Sequence, residues 1–271
     1  MKYCVDGVEY RAEECGSGFP LVTLHGFTGA ATNWKAFCPV WGEHSSMLMP
    51  DLIGHGMTES PHDSKIYSIE KAADALATML EENGAEQADF LGYSMGGRLA
   101  VTFAARYPEK VRKLVLESTS PGLRNDEERA ARIKQDGMLA EMIVSKGIQY
   151  FVDYWESIQL FSSQTKLPKA VRAEIRQQRL GNNPIGLANS LLGMGTGAQP
   201  SWWNEIESFS CETLLLSGSL DPKFCGIAKE MSSKIPHCRH LTINDAGHAI
   251  HVEQPEKFGT IVSRFLCNTY I

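Results

Sequence analysis

With 271 residues, the chain is long enough to bury the core of one α/β domain and to carry an insertion. Its formal net charge of −6 argues against nucleic acid or an anionic membrane surface as the main partner. No run of about 18 apolar residues is present to span a bilayer, and the N-terminal residues lack the apolar region of a signal peptide. The sequence therefore predicts a cytoplasmic protein without membrane insertion.

The first part of the chain, up to residue 118, alternates short apolar runs with helical patterns. An early edge strand is predicted over residues 5–12, and further strands over residues 20–24, 46–49, 90–91 and 111–116. Ser68 can cap a helix whose apolar residues recur at helical spacing as far as residue 80, and a second helix is predicted over residues 98–106. This alternation predicts a mostly parallel, doubly wound sheet with helices on both faces.

Strand patterns stop between residues 119 and 207. Asn125 can cap a long helix through residue 144, and further helices are predicted over residues 147–155, 168–179 and 184–192. Strands return over residues 213–216 and 240–243, with helices over residues 224–235 and 254–265. The sequence thus predicts an α/β core of residues 1–118 and 208–271, with a helical lid of residues 119–207 inserted after strand 6.

The chain contains seven cysteines, and no two of them form a Cys-x-x-Cys motif. Their odd number and scattered positions are typical of reduced, buried thiols in a cytosolic protein. The residues concerned are Cys4, Cys15, Cys38, Cys211, Cys225, Cys238 and Cys267.

Residues 92–96, with the sequence GYSMG, have the Gly-x-Ser-x-Gly form of a nucleophile elbow. A serine between a strand and a helix adopts a strained turn, and glycines on either side leave room for that turn. The Ser94 hydroxyl would then point into open space above the sheet, at the N-terminus of a helix. The pattern alone is only moderately specific, so its context has to support it.

A serine hydroxyl becomes reactive when a histidine takes its proton and an acid orients that histidine. In doubly wound hydrolase sheets the three residues follow in the order Ser, Asp or Glu, His. Ser94, Asp221 and His248 have this order, and Asp221 lies in the loop that follows a predicted strand. Alternatives remain at this stage: His251 as the base, Asp245 or Glu117 as the acid, and His55 as a loop residue that fixes backbone geometry.

A second expected part of such a site is a pair of backbone donors. The tripeptide His25-Gly26-Phe27 follows an early predicted strand, where a small residue lets the chain turn towards the elbow. The N–H groups of Phe27 and Met95 would form an oxyanion hole. No His-Glu-x-x-His, Walker or Gly-x-Gly-x-x-Gly motif is present, so the sequence predicts neither a metal nor a cofactor.

Arginines are the unusual feature of the predicted lid, which holds half of those in the chain. Arg98 adds a cation one helical turn beyond Ser94. If two or three of these guanidinium groups converge, the ligand is expected to be a small polycarboxylate, because arginine binds carboxylates bidentately. The alternative is that these arginines lie on solvated helix faces and form ion pairs with Glu127, Glu128 and Glu174. The lid arginines are Arg124, Arg129, Arg132, Arg172, Arg176 and Arg179.

Three segments together resemble one enzyme family. Residues 92–98 (GYSMGGR), 117–123 (ESTSPGL) and 175–180 (IRQQRL) are similar to the menaquinone-pathway synthases called MenH. These are the 2-succinyl-6-hydroxy-2,4-cyclohexadiene-1-carboxylate synthases, which have the α/β-hydrolase fold. The resemblance extends over nearly the whole chain, including the lid.

The resemblance implies a lyase that eliminates pyruvate from 2-succinyl-5-enolpyruvyl-6-hydroxy-3-cyclohexene-1-carboxylate, a tricarboxylate. It implies that Ser94, with His248 and Asp221, abstracts a proton, and that the oxyanion hole holds the enolate. It further implies substrate contacts from Tyr93, Arg98, Arg132, Trp155 and Arg179, with Arg129 and Arg176 as additional candidates. We expect a monomer or a small homo-oligomer.

Two other functions remain open from the sequence. A serine hydrolase of a small acidic ester or of a carbon–carbon bond would use the same three residues through an acyl-enzyme. A ligand-binding protein would keep the pocket without turnover.

Overall fold

The computed structural model describes residues 1–268 and contains one eight-stranded sheet in this part of the chain. The strand order is β1-β2-β4-β3-β5-β6-β7-β8, with β1/β2 and β2/β4 antiparallel and the other pairs parallel. The predicted mostly parallel sheet is therefore confirmed. The strands are β1 (Lys2–Val5), β2 (Val8–Cys15), β3 (Phe19–Leu24), β4 (Ser45–Pro50), β5 (Ala88–Tyr93), β6 (Val111–Glu117), β7 (Glu212–Gly218) and β8 (Cys238–Ile243).

The N-terminal strand prediction was wrong in one respect. In place of one edge strand over residues 5–12, the chain forms a hairpin of β1 and β2. Its turn is Asp6-Gly7, where both residues have positive φ (49° and 78°). Asp-Gly is a favoured pair for a two-residue hairpin turn, because its twist matches that of the strands. This Asp-Gly pair is a sequence signal from which the turn could have been predicted.

Helices cover both faces of the sheet. Buried residues of α2, α3 and α7 pack on one face, and those of α1 and α9 pack on the other. The central strands β5 and β6 are almost wholly buried, as expected for parallel strands between two helical layers. The helices are α1 (Cys38–Trp41), α2 (Ile69–Glu82), α3 (Met95–Arg106), α4 (Asp126–Ser157), α5 (Lys169–Leu180), α6 (Pro184–Met194), α7 (Pro222–Ser232), α8 (Ile250–Glu253) and α9 (Pro255–Leu266).

Between β6 and β7, every regular element that the structure describes is helical. The side chain of Asn125 caps α4 as predicted, accepting the Glu128 N–H at 2.8 Å. The two helices predicted over residues 125–144 and 147–155 form one element that kinks at Gly147, where φ is 82°. Packing of α4 against α6 buries a small apolar core that includes Ile143, Phe151 and Leu187. The division of the chain at residues 119 and 207 stays a prediction.

None of the helices within residues 1–268 is both long enough and apolar enough to cross a membrane.

The prediction of reduced thiols was wrong for two of the seven cysteines. Cys15, at the end of β2, forms a disulfide with Cys38, at the start of α1. Their Cα atoms lie 6.1 Å apart, within the usual range for a disulfide. The folding of β2 alongside β4 brings them together, and a spacing of 23 residues carries no local signal of this contact. Cys4 and Cys267 are exposed free thiols, which also differs from the predicted burial.

Candidate active site

Ser94 lies on a sharp turn between β5 and α3. Its φ and ψ are 52° and −104°, a strained conformation for a residue with a side chain. A Cβ atom at Gly92 would overlap the Gly96 carbonyl, and one at Gly96 would overlap the carbonyls at the end of β3. The two glycines of the motif therefore permit the close backbone approach that the turn requires.

Ser94, His248 and Asp221 form a continuous chain of hydrogen bonds. The Nε2 atom of His248 lies 2.9 Å from Ser94 Oγ, and its Nδ1 atom lies 2.8 Å from Asp221 Oδ2. Asp221 is also the N-cap residue of α7, where its Oδ1 accepts the Phe224 N–H at 3.3 Å. The ring of Phe224 lies 4.6 Å from that of His248. With Nδ1 protonated, His248 can accept the Ser94 proton at Nε2.

The alternative residues are engaged elsewhere. The His251 ring and backbone N–H both donate to the buried Glu117 carboxylate, at 2.9–3.0 Å. Asp245 is exposed, and its N–H donates to Ser219. His55 is buried, and its Nδ1 lies 3.1 Å from the Ile53 carbonyl. Burial lowers the pKa of His55 to about 3, so the ring is neutral.

The loop after β3 brings two backbone donors to the mouth of the elbow. His25 orders this loop: its Nδ1 lies 2.8 Å from the Gly26 carbonyl, and its Nε2 accepts the Leu52 N–H at 3.0 Å. A Cβ atom at Gly26 would lie 2.6 Å from the Tyr93 ring, so glycine allows the loop to approach. Within residues 1–268 the N–H groups of Phe27 and Met95 have no hydrogen-bond acceptor. They are therefore available to a ligand oxygen.

A cavity of about 570 Å³ opens in front of Ser94 and His248. Helices α4 and α6 of the insertion supply one side of its wall, and α7 supplies part of the other. Trp155 lines it and contacts Phe27 and Phe161, with ring centroids 5.4 and 5.7 Å apart. Tyr93 also lines it, between the rings of His248 and His251. The cavity is therefore aromatic on one side and reaches the Ser94 hydroxyl.

Arg98 is a buried cation in the wall of this cavity. Its Nη1 atom donates to the Met194 carbonyl at 2.7 Å and to Gln199 Oε1 at 2.5 Å. Within the described residues, Nε and Nη2 make no hydrogen bond, and no carboxylate forms an ion pair with the guanidinium. Burial, with a smaller contribution from nearby Arg132, lowers the pKa of Arg98 to about 9. The group is still charged at neutral pH and lacks an anionic partner.

Arg132 lines the same cavity but is already paired. Its Nε donates to Asp136 Oδ1 at 2.8 Å, one helical turn further along α4. The second carboxylate oxygen of Asp136 is buried without a partner in the described residues. Burial raises the pKa of Asp136, and the adjacent Arg132 opposes that rise.

Arg179 does not line the cavity in front of Ser94. It lines two smaller neighbouring cavities, of about 50 and 230 Å³, and the Phe161 ring borders all three cavities. Its guanidinium lies 3.4 Å from Glu156 Oε1 and 3.3 Å from Gln164 Oε1. Burial lowers the pKa of Arg179. Among the described residues, three arginines line the cavity in front of Ser94: Arg98, Arg132 and Arg124.

The other lid arginines have mostly structural partners. Arg176 pairs with Asp153 and Glu156, and Arg124 pairs with Glu230 across the cavity wall. Arg129 donates to the Gly197 carbonyl at 3.3 Å. These partners differ from the glutamates at 127, 128 and 174 that the sequence suggested, because tertiary packing decided the pairing.

Sequence reasoning missed three residues at the site. Gln199 and Asp136 contact the cavity arginines, yet neither belongs to a recognisable motif. Lys223 lines the cavity two residues after Asp221 and has no ion pair in the described structure. Its position at the start of α7, beside the acid, was the only sequence signal for it.

Residues 20–255 match the family model described as alpha/beta hydrolase fold. A putative 2-succinyl-6-hydroxy-2,4-cyclohexadiene-1-carboxylate synthase of Bacillus subtilis is 46% identical over 96% of each chain. The structure of MenH from S. aureus matches with a TM-score of 0.91 and 33% identity, covering 96% of this chain and 98% of the other.

A thermophilic esterase from Thermogutta terrifontis, determined with malate bound, has a TM-score of 0.86 and 28% identity. That match covers 99% of this chain and 98% of the esterase. The strand order, the elbow and the full-length identity to the synthases agree. The chain therefore belongs to the alpha/beta hydrolase fold family and, within it, to the 2-succinyl-6-hydroxy-2,4-cyclohexadiene-1-carboxylate synthases, or MenH proteins.

Proposed function

We propose that this protein eliminates pyruvate from 2-succinyl-5-enolpyruvyl-6-hydroxy-3-cyclohexene-1-carboxylate, forming 2-succinyl-6-hydroxy-2,4-cyclohexadiene-1-carboxylate for menaquinone biosynthesis. The observation that carries this proposal is the buried Arg98 guanidinium. It lacks a carboxylate partner and lines the same cavity as the hydrogen-bonded Ser94 and His248. A buried cation of this kind favours an anionic ligand, and the substrate carries three carboxylates. A cytoplasmic location and a monomeric or small homo-oligomeric state stay predictions.

Ser94 acts as a base in the proposed reaction. His248 accepts the Ser94 proton at Nε2, and Asp221 holds the ring in the required tautomer and stabilises the imidazolium. The Ser94 oxygen then removes the proton next to the succinyl ketone. The electron pair of that C–H bond forms an enolate, whose oxygen accepts hydrogen bonds from the Phe27 and Met95 N–H groups.

The second half of the reaction breaks the bond between the ring carbon and the enolpyruvyl oxygen. The enolate electrons form a double bond between ring carbons 2 and 3, and the existing double bond between carbons 3 and 4 moves to carbons 4 and 5. The enolpyruvyl oxygen leaves carbon 5 with the electron pair of the broken bond, as the enolate of pyruvate. It takes up a proton at carbon to become pyruvate, so atoms and charge balance without a cofactor. His248, protonated in the first half, supplies the proton that restores the starting state.

The substrate carboxylates have cationic partners in this arrangement. Arg98 and Arg132 bind carboxylates in the main cavity, while Trp155 and Phe27 pack against the ring. Tyr93 borders both the main cavity and the smaller one that Arg179 lines. The guanidinium of Arg179 lies 5.0 Å from the centroid of the Phe161 ring, and that ring borders both cavities.

The direct test is to incubate the protein with this substrate and to follow pyruvate with a coupled dehydrogenase assay. Ser94→Ala is expected to lower kcat by about 10³-fold or more, because the three hydrogen-bonded residues act as a unit. Ser145→Ala, at an exposed position of α4, serves as the matched control and is expected to keep wild-type turnover. Wild-type protein that releases no pyruvate would contradict the proposal.

A serine hydrolase of small acidic esters is the second candidate function. The same hydrogen-bonded residues could form an acyl-enzyme, and the malate-bound esterase has a similar fold and 28% identity. Mass spectrometry of the protein during turnover of a succinate half-ester distinguishes the two reactions. An adduct of succinyl mass on Ser94 favours the hydrolase, whereas unmodified Ser94 during pyruvate release favours the base mechanism.

A further inference from the structure

The buried guanidinium of Arg98 is held in place by neutral groups only. Its Nη1 atom carries two protons, and these are donated to the Met194 carbonyl and to Gln199 Oε1. Gln199 is itself buried, with 1% of its surface exposed. A carboxamide oxygen thus accepts a hydrogen bond where a carboxylate would have formed an ion pair.

The Gln199 side chain is fixed at both ends of its amide. Its Nε2 donates to the Pro200 carbonyl at 3.3 Å, which leaves Oε1 towards Arg98. Its backbone N–H donates to the Gly195 carbonyl at 3.1 Å. A Cβ atom at Gly122 would lie 2.8 Å from Gln199 Nε2, so the glycine there leaves space for the amide. The acceptor for Arg98 is therefore held in one orientation.

This arrangement leaves one edge of the guanidinium free. With both Nη1 protons used, Nε and Nη2 remain, and these two donors form the edge that binds a carboxylate bidentately. The guanidinium of Arg98 also has no ion-pair partner in the described residues. Asp136 is the carboxylate that acts on its pKa, and Asp136 forms its ion pair with Arg132. An acid at position 199 would instead pair with Arg98 and oppose a substrate carboxylate.

We propose that Gln199 is a positioning residue for substrate binding: it orients Arg98 so that the Nε/Nη2 edge faces the substrate carboxylate, and its neutral amide leaves the cation uncompensated. This inference rests on the proposed function, in which Arg98 binds a carboxylate of the substrate. Arg179 also contacts a buried glutamine, Gln164, at 3.3 Å, but unlike Arg98 it has a carboxylate partner, Glu156, at 3.4 Å.

The test compares Gln199→Glu with Gln199→Met. Glutamate keeps the shape and the acceptor but adds a negative charge, whereas methionine removes the acceptor without adding charge. We expect Gln199→Glu to raise KM for the substrate at least tenfold, to change kcat less than threefold, and to raise KM more than Gln199→Met does. Gln177→Glu adds the same charge at an exposed position of α5 and is expected to keep the wild-type KM.

A purely structural role predicts the opposite order, because only methionine loses the hydrogen bond to Arg98. An equal or larger KM effect of Gln199→Met would therefore overturn the proposal, as would an unchanged KM in Gln199→Glu. Circular dichroism and urea unfolding establish that both variants are folded.

The affinity for succinate, a small dicarboxylate probe, is measured by calorimetry on the same proteins without turnover. We expect Gln199→Glu to bind succinate at least tenfold more weakly than the wild type. Equal affinities would overturn the role of Gln199 even where pyruvate release is normal. Absence of pyruvate release in the wild type would instead overturn the proposed function, while the affinities still decide on Gln199.

Discussion

His248 is the residue on which the proposed chemistry most directly depends, because its ring forms hydrogen bonds with both Ser94 and Asp221. His251 lies three residues further along the chain and is buried against Glu117. Both histidines are buried, and each ring forms a hydrogen bond with a carboxylate, but the carboxylates are different residues. Only the partner of His248 carries a hydroxyl that faces the cavity.

We expect His248→Ala to lower kcat for pyruvate release by about 10³-fold or more, because Ser94 then lacks its proton acceptor. His251→Gln keeps a hydrogen-bond donor for Glu117, and its kcat is expected to stay within about tenfold of the wild type. Steady-state assays of the two variants measure the contrast. Equal losses in both would argue against the assignment of His248 as the base.

His55 makes stability depend on pH. The unfolded histidine protonates below its ordinary pKa of 6.5, whereas burial lowers the folded pKa to about 3. Between these values the unfolded state binds more protons, so the free energy of unfolding falls as the pH falls, by about 1.4 kcal/mol per pH unit. The stability contributed by neutral His55 is complete above pH 6.5 and is lost progressively towards pH 3.

His55→Gln is therefore expected to lose about 2 kcal/mol less stability than the wild type between pH 6.5 and pH 5. Urea unfolding at both pH values measures this difference. His237→Gln, at an exposed position, serves as the control and should lose as much stability as the wild type. Identical pH dependence in His55→Gln and the wild type would contradict the argument.

At the scale of elements, α4 shows how one residue shapes the wall of the cavity. The helix carries Arg132 before its kink and Trp155 after it, and both line the cavity. The kink lies at Gly147, whose φ of 82° is a conformation that L side chains rarely adopt. Gly137, in the same helix, has no such φ, and a Cβ atom would meet nothing within 4 Å at either position.

These two glycines give opposite predictions for the same substitution. Gly147→Ala is expected to destabilise the protein by about 1 kcal/mol or more, because the backbone strain is not relieved by any contact. Gly137→Ala is expected to stabilise it by about 0.5–1 kcal/mol, because alanine favours the helix and restricts the unfolded chain. Urea unfolding measures both values. Changes of the same sign would show that the kink does not depend on glycine.

At the scale of the whole molecule, the Cys15–Cys38 disulfide links the end of β2 to α1. Closing a loop of 23 residues restricts the unfolded chain and stabilises the fold by about 3 kcal/mol on the chain-entropy model. Neither cysteine lines the cavity. We therefore expect Cys38→Ser to lower the free energy of unfolding by about 3 kcal/mol and to leave kcat/KM unchanged.

Urea unfolding and pyruvate release, measured in the absence of reductant, test this separation. Cys267→Ser changes an exposed free thiol and is expected to alter neither quantity. Treatment of the wild type with dithiothreitol should reproduce the stability of Cys38→Ser. A matching loss of activity would mean that the disulfide also orders the site.

Much of the fold follows from local patterns. The periodicity of apolar residues predicted most strands and helices, the caps at Ser68 and Asn125 marked helix starts, and the elbow motif located Ser94. The order of Ser94, Asp221 and His248 then pointed to one arrangement of the site. These features could be predicted because each depends on residues that are close in the chain, or on the order of elements in a known type of sheet.

The tertiary structure alone decided which distant residues meet. It placed Asp221, rather than Asp245 or Glu117, within hydrogen-bond distance of His248. It also joined Cys15 to Cys38 and placed Arg179 next to the Phe161 ring, outside the cavity in front of Ser94. It also brought Gln199 to Arg98, a contact between residues 101 positions apart. Such contacts depend on strand register and on the packing of the helical insertion over the sheet, and no local pattern of residues encodes either of them.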